Sequence, residues 1–398
     1  MSATPKVRKA VYAASLDPIT NGHLSVIDEV VSLYDELIVV VAVDPRKNYV
    51  FSPEERADMA RAAVAHLPNV RVELCVGRYV VNLAHELGAQ VVIRGLRNMG
   101  DLDAEEVLAT ENRHICRAVK TIWIPCLPDL RHVSSSVVRS HVGADPEWEK
   151  QVARLAPAAV LAKLKEKHIL GKARKHWTAL MTALGNPKGS EEVFQDLLKR
   201  YGEPHRAYHN LEHIVAMLDD FEAVKSSLKP DIEEFASQLA FAIWFHDAVY
   251  DPKASNNEAE SAHLADKAAN ALGLTDRADL NKVRHFDHIV NDLIMLTKHI
   301  EVPKFPLGRL MVDLDLAILG KSGYLFNAYE VGIRKEYEWV PWVEFRKKRA
   351  EILQRFLDRK SIYSLDVFWT KYQAAAEENL KRSIENLTRN IIVSSTAV

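Results

Sequence analysis

The chain has 398 residues, 48% hydrophobic and 27% charged, with 52 Lys and Arg against 54 Asp and Glu for a net charge of −2. That length exceeds one ordinary core and predicts two domains. The near-neutral balance argues against a broad nucleic-acid surface, which needs a clear basic excess. Cys75, Cys116 and Cys126 have no CxxC spacing, so neither a zinc knuckle nor a disulfide framework is suggested. The basic N-terminus flows into a strand pattern without a long apolar core, and no signal peptide is expected. No apolar run approaches the ~20 residues that span a bilayer. The expectation is a cytoplasmic enzyme, with no membrane or nucleic-acid partner.

The first ~140 residues alternate between short β-rich runs and helical runs, the pattern of a parallel sheet. Val7–Ala14 reads as a strand. Gly22–Leu33 reads as a helix with Leu24, Ile27, Val30 and Val31 on one face. Leu37–Val43 is a continuous apolar strand, as expected when both faces are covered. Helix Pro53–His66, strand Val70–Leu74, helix Val80–Leu87 and strand Gln90–Ile93 follow. Helix Ala104–Val119, strand Thr121–Pro125 and a helix start at Ser134–Val142 complete a doubly wound, Rossmann-like α/β domain over residues 1–168. The character changes after Ala156. Val160–His168 is a charged helix, residues 169–176 read as a linker, and the pattern from Trp177 onward is helical. Residues 177–398 are therefore expected to form an all-α domain.

Between the first strand and the first helix lies Ala14-Ser15-Leu16-Asp17-Pro18-Ile19-Thr20-Asn21-Gly22-His23. Ligands of open α/β sheets bind at the carboxyl ends of strands, and phosphates favour helix N-termini. Small Ala14 and the Ser15 hydroxyl let a phosphate approach backbone N–H groups. Gly22 lets the chain close on it, and His23 can donate to a transferring phosphoryl group. A plain turn capped by Thr20 is the bland alternative for these residues alone.

The TNGH run resembles the [TH]xGH motif of the cytidylyl/adenylyltransferase superfamily. Three further segments are similar to phosphopantetheine adenylyltransferase: Asp44-Pro45-Arg46-Lys47, Ile93-Arg94-Gly95-Leu96-Arg97 with Asp101 following, and Val133-Ser134-Ser135-Ser136-Val137-Val138-Arg139. Asn112-Arg113-His114 also fits that family's helix, with Asn112 a substrate contact. The resemblance covers roughly residues 7–168. It implies adenylyl transfer from ATP to 4'-phosphopantetheine, with release of pyrophosphate, Mg²⁺ as the cofactor and a homo-oligomer. It implies that Ser15 and Lys47 hold the acceptor phosphate. Arg94 and Ser134, Ser135 and Ser136 hold the ATP phosphates, His23 meets the transition state, and Arg97 and Glu105 lie near the adenosine. Ala14 replaces the family's Gly, and Leu102 and Ala104 replace two aromatic rings, so a different phosphate acceptor is the alternative.

In the second half, Tyr208-His209-Asn210-Leu211-Glu212-His213 reads as a helix start. His209 and His213, four apart, would share one face. The apolar run Ala242–Phe245 ends in His246-Asp247, and Asp313 and Asp315 sit inside another apolar segment. A carboxylate in such surroundings is rarely buried unless paired or metal-bound. Imidazole with carboxylate suits Mn, Fe, Ni, Zn or Mg, so ligand type does not choose the metal. Taken singly, each piece is ordinary structure. The order H…HD…D resembles the HD superfamily of metal-dependent phosphohydrolases over about 176–385. Supporting stretches are Tyr201–Arg206, Asn256-Asn257-Glu258 with Ser261, and Arg334-Lys335-Glu336-Tyr337. The resemblance implies metal ligands His213, His246, Asp247 and one of Asp313 and Asp315, with Asp313 preferred. It makes His209 a general acid and Asp247 a potential bridge to a second metal. The substrate would be a phosphorylated small molecule or nucleotide. His205 and Arg206 could contact a phosphate, and Glu258 could orient ligands. The alternative is a nucleotide-sensing module that regulates the transferase.

Overall fold

The computed structural model describes residues 7–228, 230–275 and 286–391. The first six residues of the basic N-terminal stretch and the last seven of the expected helical domain lie outside them, as do 229 and 276–285. The chain divides into two compact units, Met1–His168 and Ile169–Val398.

Unit 1 contains β1 (Lys9–Ala14), α1 (Asn21–Val31), β2 (Glu36–Ala42), α2 (Pro53–Val64), β3 (Val70–Cys75), α3 (Val80–Glu86), β4 (Val91–Leu96), α4 (Met99–Ile115), β5 (Lys120–Pro125), α5 (Ser135–His141), α6 (Trp148–Leu155) and the start of α7 (Ala158–Ala183). The five strands are parallel in the order β3-β2-β1-β4-β5. Side chains of β1 alternate between two cores. Ala10 and Tyr12 join one, and Val11 and Ala13 the other. Leu37 to Val41 of β2 are fully buried, because helices cover both faces. The expected strands and helices all occur, with ends shifted by a few residues. The largest shift is α4, which starts at Met99 rather than Ala104. The cause is Asn98, whose Oδ1 accepts from the Asp101 N–H at 3.1 Å and caps the helix early. At α2, Ser52 and Glu55 form a reciprocal capping box ahead of Pro53.

Residues 169–176, expected as a linker, lie inside α7. Val160 and Leu164 of that helix belong to the core of unit 1, and Ala173, Trp177, Leu180 and Met181 to the core of unit 2.

Unit 2 continues with α8 (Ser190–Tyr201), α9 (Leu211–Lys225), α10 (Pro230–Glu233), α11 (Ala236–Phe245), α12 (Asn257–Ala271), α13 (Phe286–Leu296), α14 (Pro306–Asp315), α15 (Gly323–Glu336), α16 (Trp342–Leu357) and α17 (Asp366–Thr388). Its core gathers around α11, where Leu239 and Phe241 through Phe245 are all buried. Trp244 packs edge-on against Trp177 and Phe194 at 5.4 and 5.9 Å between centroids. The polar residues of interest sit at helix ends around this core. His246-Asp247 follow the last residue of α11, Asp315 closes α14, and His213 lies in the first turn of α9. Among the described residues no helix is long and apolar enough to cross a membrane.

Candidate active sites

In unit 1, a cleft of about 510 Å³ opens at the carboxyl ends of β1 and β4. This is where the strand order reverses, the place where open α/β sheets hold ligands. Ser15, His23, Lys47, Arg94, Arg97, Glu105, Ser134, Ser135 and Ser136 all line it. Asn112 does not, being buried further along α4.

The tautomer of His23 follows from its neighbours. The Thr20 backbone N–H donates to His23 Nδ1 at 3.0 Å, so Nδ1 is an acceptor and the ring proton resides on Nε2. Burial, reinforced by the positive charges of Arg97 and Arg94, pushes His23 down to about 4. The ring is thus a neutral donor set at the N-terminus of α1. Gly22 is required by close approach, since a Cβ there would lie 3.0 Å from the Val133 carbonyl oxygen. This contact brings the segment that leads into the serine helix α5 against the start of α1.

Asp17 ties the two walls of the cleft together. Its carboxylate accepts from the N–H groups of Val50 and Phe51, both at 3.0 Å, and so holds the loop that carries Lys47. On its other side Arg139 of α5 lies 3.5 Å from Asp17 Oδ2 and donates to the Asp17 carbonyl. Ser135 Oγ donates to the Pro18 carbonyl at 2.8 Å. Arg56, fully buried, donates to the Ser15 carbonyl at 2.6 Å and lies over the Tyr49 ring at 4.0 Å. Arg94 donates to the Ala13 carbonyl and pairs with Glu105 at 2.5 Å, and Arg97 pairs with Asp101 at 3.0 Å.

Residues 11–141 match the family model of cytidylyltransferase-like proteins. The phosphopantetheine adenylyltransferase of Heliobacterium modesticaldum is 36% identical over 169 residues, which cover 41% of this chain and 96% of that one. That of Herpetosiphon aurantiacus is 40% identical over 157 residues, covering 39% of this chain and 92% of the relative. Through its first unit the chain belongs to the phosphopantetheine adenylyltransferase family. Against the family pattern, Ala14 and Ala104 stand at the cleft wall, whereas Leu102 does not line it.

The phosphopantetheine adenylyltransferase relatives align with about two fifths of the chain, and unit 2 is read from its own side chains. His213 Nε2 lies 3.3 Å from His246 Nε2, and Asp247 Oδ2 lies 3.1 Å from His246 Nε2 and 3.6 Å from His213 Nε2. Cations of this class sit about 2.0–2.2 Å from nitrogen and oxygen ligands, which spaces neighbouring donors about 3.0–3.5 Å apart, so the triangle fits one. Both imidazoles are oriented to present Nε2. His246 donates from Nδ1 to the Ile243 carbonyl at 2.9 Å, and Tyr208 Oη lies 3.0 Å from His213 Nδ1. Asp315 lies beside this triangle, with Oδ1 at 3.2 Å from His213 Nε2 and 3.7 Å from His246 Nε2. Burial opposes the charge on Asp247, but His246 and His209 hold its carboxyl below the usual range.

Asp313, the preferred ligand from the sequence, is elsewhere. Its carboxylate accepts from the backbone N–H groups of Ser364 and Leu365 at 2.7 to 3.0 Å, and burial raises it to about 6. It ties α14 to the start of α17. The alternating pair thus splits, Asp313 into the core and Asp315 to the donor cluster. His209 is also not on a helical face with His213. Asn210 caps α9, its Oδ1 accepting from the Glu212 N–H at 2.9 Å, and His209 stands in the loop before it.

That loop is fixed by Glu336, which was singled out in the sequence only within the run Arg334–Tyr337. Its side chain is fully buried. Oε1 accepts from the N–H groups of Ala207, Tyr208 and His209 at 2.7 to 2.9 Å. Oε2 accepts from His209 Nδ1 at 2.6 Å and Tyr250 Oη at 2.9 Å. Burial works against the charge, but these donors hold Glu336 down to about 2. Burial likewise opposes the charge on His209, yet Asp247 and Glu336 raise it above the usual histidine value. His299, also unmarked in the sequence, contacts Asp315 Oδ2 at 2.9 Å through Nε2.

The remaining expectations concern phosphate contacts. Arg206 is buried and bonded to backbone, which leaves it no face for a ligand. His205 Nε2 meets the Tyr250 carbonyl at 2.8 Å. Glu258 lies 3.9 Å from Lys298, while Asn257 and Ser261 bond to Asp251 and Val249 in the loop after Asp247.

Because His23 is already neutral down to about pH 4, the transferase kcat/KM should show no ionisation of His23 across about pH 5 to 8. Activity assigned to it should fall only as pH drops toward 4, where protonation of Nδ1 displaces the Thr20 N–H. A pH profile of wild type beside a His23→Gln variant checks this. A wild-type inflection near 6.5 that the variant lacks would contradict it.

Proposed function

We propose that unit 1 transfers the adenylyl group of ATP to 4'-phosphopantetheine, and that unit 2 hydrolyses a phosphate ester of a small molecule or nucleotide at a divalent-metal centre. The family relationship, together with one cleft that gathers Ser15, His23, Lys47, Arg94 and the Ser134–Ser136 run, supports the first reading. The donor triangle of His213, His246 and Asp247 supports the second.

In unit 1 a phosphate oxygen of the acceptor attacks the α-phosphorus of ATP, that P–O bond forms, and the bond to the β-phosphate oxygen breaks to release pyrophosphate. No side chain becomes covalent, so the protein positions two polyanions and neutralises equatorial charge. Ser15 and Lys47 hold the acceptor phosphate. Arg94 and the α5 serines hold the triphosphate, and the Nε2–H of His23 donates to an α-phosphate oxygen. Arg97 and Glu105 stand on the adenosine side. The cleft carboxylates are already held by arginines or backbone, which suits Mg²⁺ carried mainly by the phosphates. When bound, Mg²⁺ screens charge on the oxygens.

In unit 2, His213, His246, Asp247 and Asp315 would hold the cation. When bound, it supplies a Lewis acid that screens the phosphate and makes water acidic enough to ionise near neutrality. His209, its Nδ1–H held by Glu336, has Nε2 left to protonate the leaving oxygen. The donor set suits Mn, Fe, Ni, Zn or Mg.

Pyrophosphate release should require both ATP and 4'-phosphopantetheine with Mg²⁺, and His23→Ala should lower kcat about 100- to 1000-fold, as for loss of a transition-state donor. No release, with the chain folded and ATP still bound, would assign another acceptor. For the second centre, His246→Ala and Asp315→Ala should each weaken divalent-metal binding at least about 10-fold. Asp313→Ala should instead keep the metal and lose about 1–3 kcal/mol of stability, from two N–H groups left unpaired. Metal analysis and urea unfolding of the variants decide between the two aspartates.

A further inference from the structure

The Tyr201–Arg206 stretch is not used by the chemistry above, yet it holds a deeply buried cation. The Arg206 side chain is fully buried. Burying a charge is expensive unless geometry and hydrogen bonding are both good. Here Nε donates to Glu203 at 2.9 Å, Nη1 to the carbonyls of His209 at 2.9 Å and Asp247 at 2.6 Å, and Nη2 to the Ala248 carbonyl at 3.1 Å. The guanidinium also lies 5.3 Å from the Tyr201 ring centroid and 5.5 Å from that of Tyr250. Tyr201 itself donates to the Trp244 carbonyl at 2.8 Å, near the end of α11.

The gripped carbonyls come from two separate segments. One is the loop that presents His209 and runs directly into the turn bearing His213. The other is the end of α11, which presents His246 and Asp247. Nothing else described joins the backbones of these two segments through one rigid group. A planar fork with five donors suits the task, whereas a lysine ammonium is a flexible point charge.

We propose that Arg206 is the positioning residue of the metal centre. It fixes the spacing between the His209–His213 segment and the His246-Asp247 step, so that the imidazole and carboxylate donors are preorganised for one cation. The inference rests on the metal-centre reading of unit 2. Second-sphere partners of metal ligands typically change affinity by about 10- to 100-fold, which sets the expected size.

The test uses the full chain and Co²⁺ alone, followed by its visible d–d absorption, with His246→Ala defining the signal that belongs to this centre. Arg206→Lys should weaken Co²⁺ binding at least about 10-fold and change the band shape, while the metal-free variant keeps its far-ultraviolet circular dichroism. Arg346→Lys is the control, because Arg346 also grips two carbonyls, those of Leu387 and Thr388, away from the centre. It should leave Co²⁺ affinity and spectrum as in wild type, even where thermal stability falls equally. Unchanged binding in Arg206→Lys, or equal weakening in Arg346→Lys, overturns the positioning role while the metal centre stands. A wild-type chain without His246-dependent Co²⁺ binding overturns the metal centre itself, and this inference with it.

Discussion

A carboxylate removed from water must find donors or a cation, and the way each buried carboxylate meets that demand separates framework from chemistry in this chain. Asp17 takes two backbone N–H groups and faces Arg139. Asp313 takes the N–H groups of Ser364 and Leu365. Glu336 takes three backbone N–H groups, an imidazole and a phenol. Each is satisfied by the fold. Among the described residues, the ion-pair partners of Asp247 and Asp315 are imidazoles, from His213, His246 and His299. Imidazole nitrogens and carboxylate oxygens that crowd one point form a donor set in search of a cation, which is why this cluster carries the proposed hydrolytic chemistry.

The same distinction organises the first unit. Its cleft exists because a parallel sheet reverses strand order between β1 and β4, and its polar walls are helix starts and strand ends. Asp17 does not face a substrate in this account. It pins the Lys47 loop to one side and the serine helix to the other, so that the groups meant for two polyanions sit on one frame. His23 is kept neutral by burial and by two arginines, and its tautomer is set by a single backbone N–H. Both sites aim a histidine through a hydrogen bond to its Nδ1. In unit 1 a backbone donor fixes His23, and in unit 2 a buried glutamate fixes His209.

Much of this was legible in the sequence. Alternating β and helical runs dictate the parallel sheet, and the apolar Leu37–Val43 run marks a strand covered on both faces. The motif residues of the first cleft come together because they lie at strand ends and helix starts, which sequence patterns mark well. Asn112 is expected at the substrate from likeness alone, and helix phase buries it away from the cleft. The choice between Asp313 and Asp315 was not legible. Two positions apart near a helix end, they differ in direction, and the deciding partners, Ser364 and Leu365, are distant in the chain. Arg206 looked like a phosphate ligand because charge is visible in sequence and burial is not. The sequence marks Glu336 only within a supporting run and without a role, and His299 not at all, since their partners lie 127 and 16 positions away.

The central proposal is that one chain holds two centres, an adenylyl-transfer cleft and a metal-dependent hydrolytic cluster. It is tested most directly by ³¹P NMR of the full chain given ATP, 4'-phosphopantetheine, Mg²⁺, Mn²⁺ and p-nitrophenyl phosphate in one tube, for wild type, His23→Ala and His246→Ala. The account predicts that His23→Ala stops pyrophosphate formation and leaves ester hydrolysis, while His246→Ala does the reverse. Loss of both reactions in either variant, or ester hydrolysis untouched by His246→Ala, would contradict it.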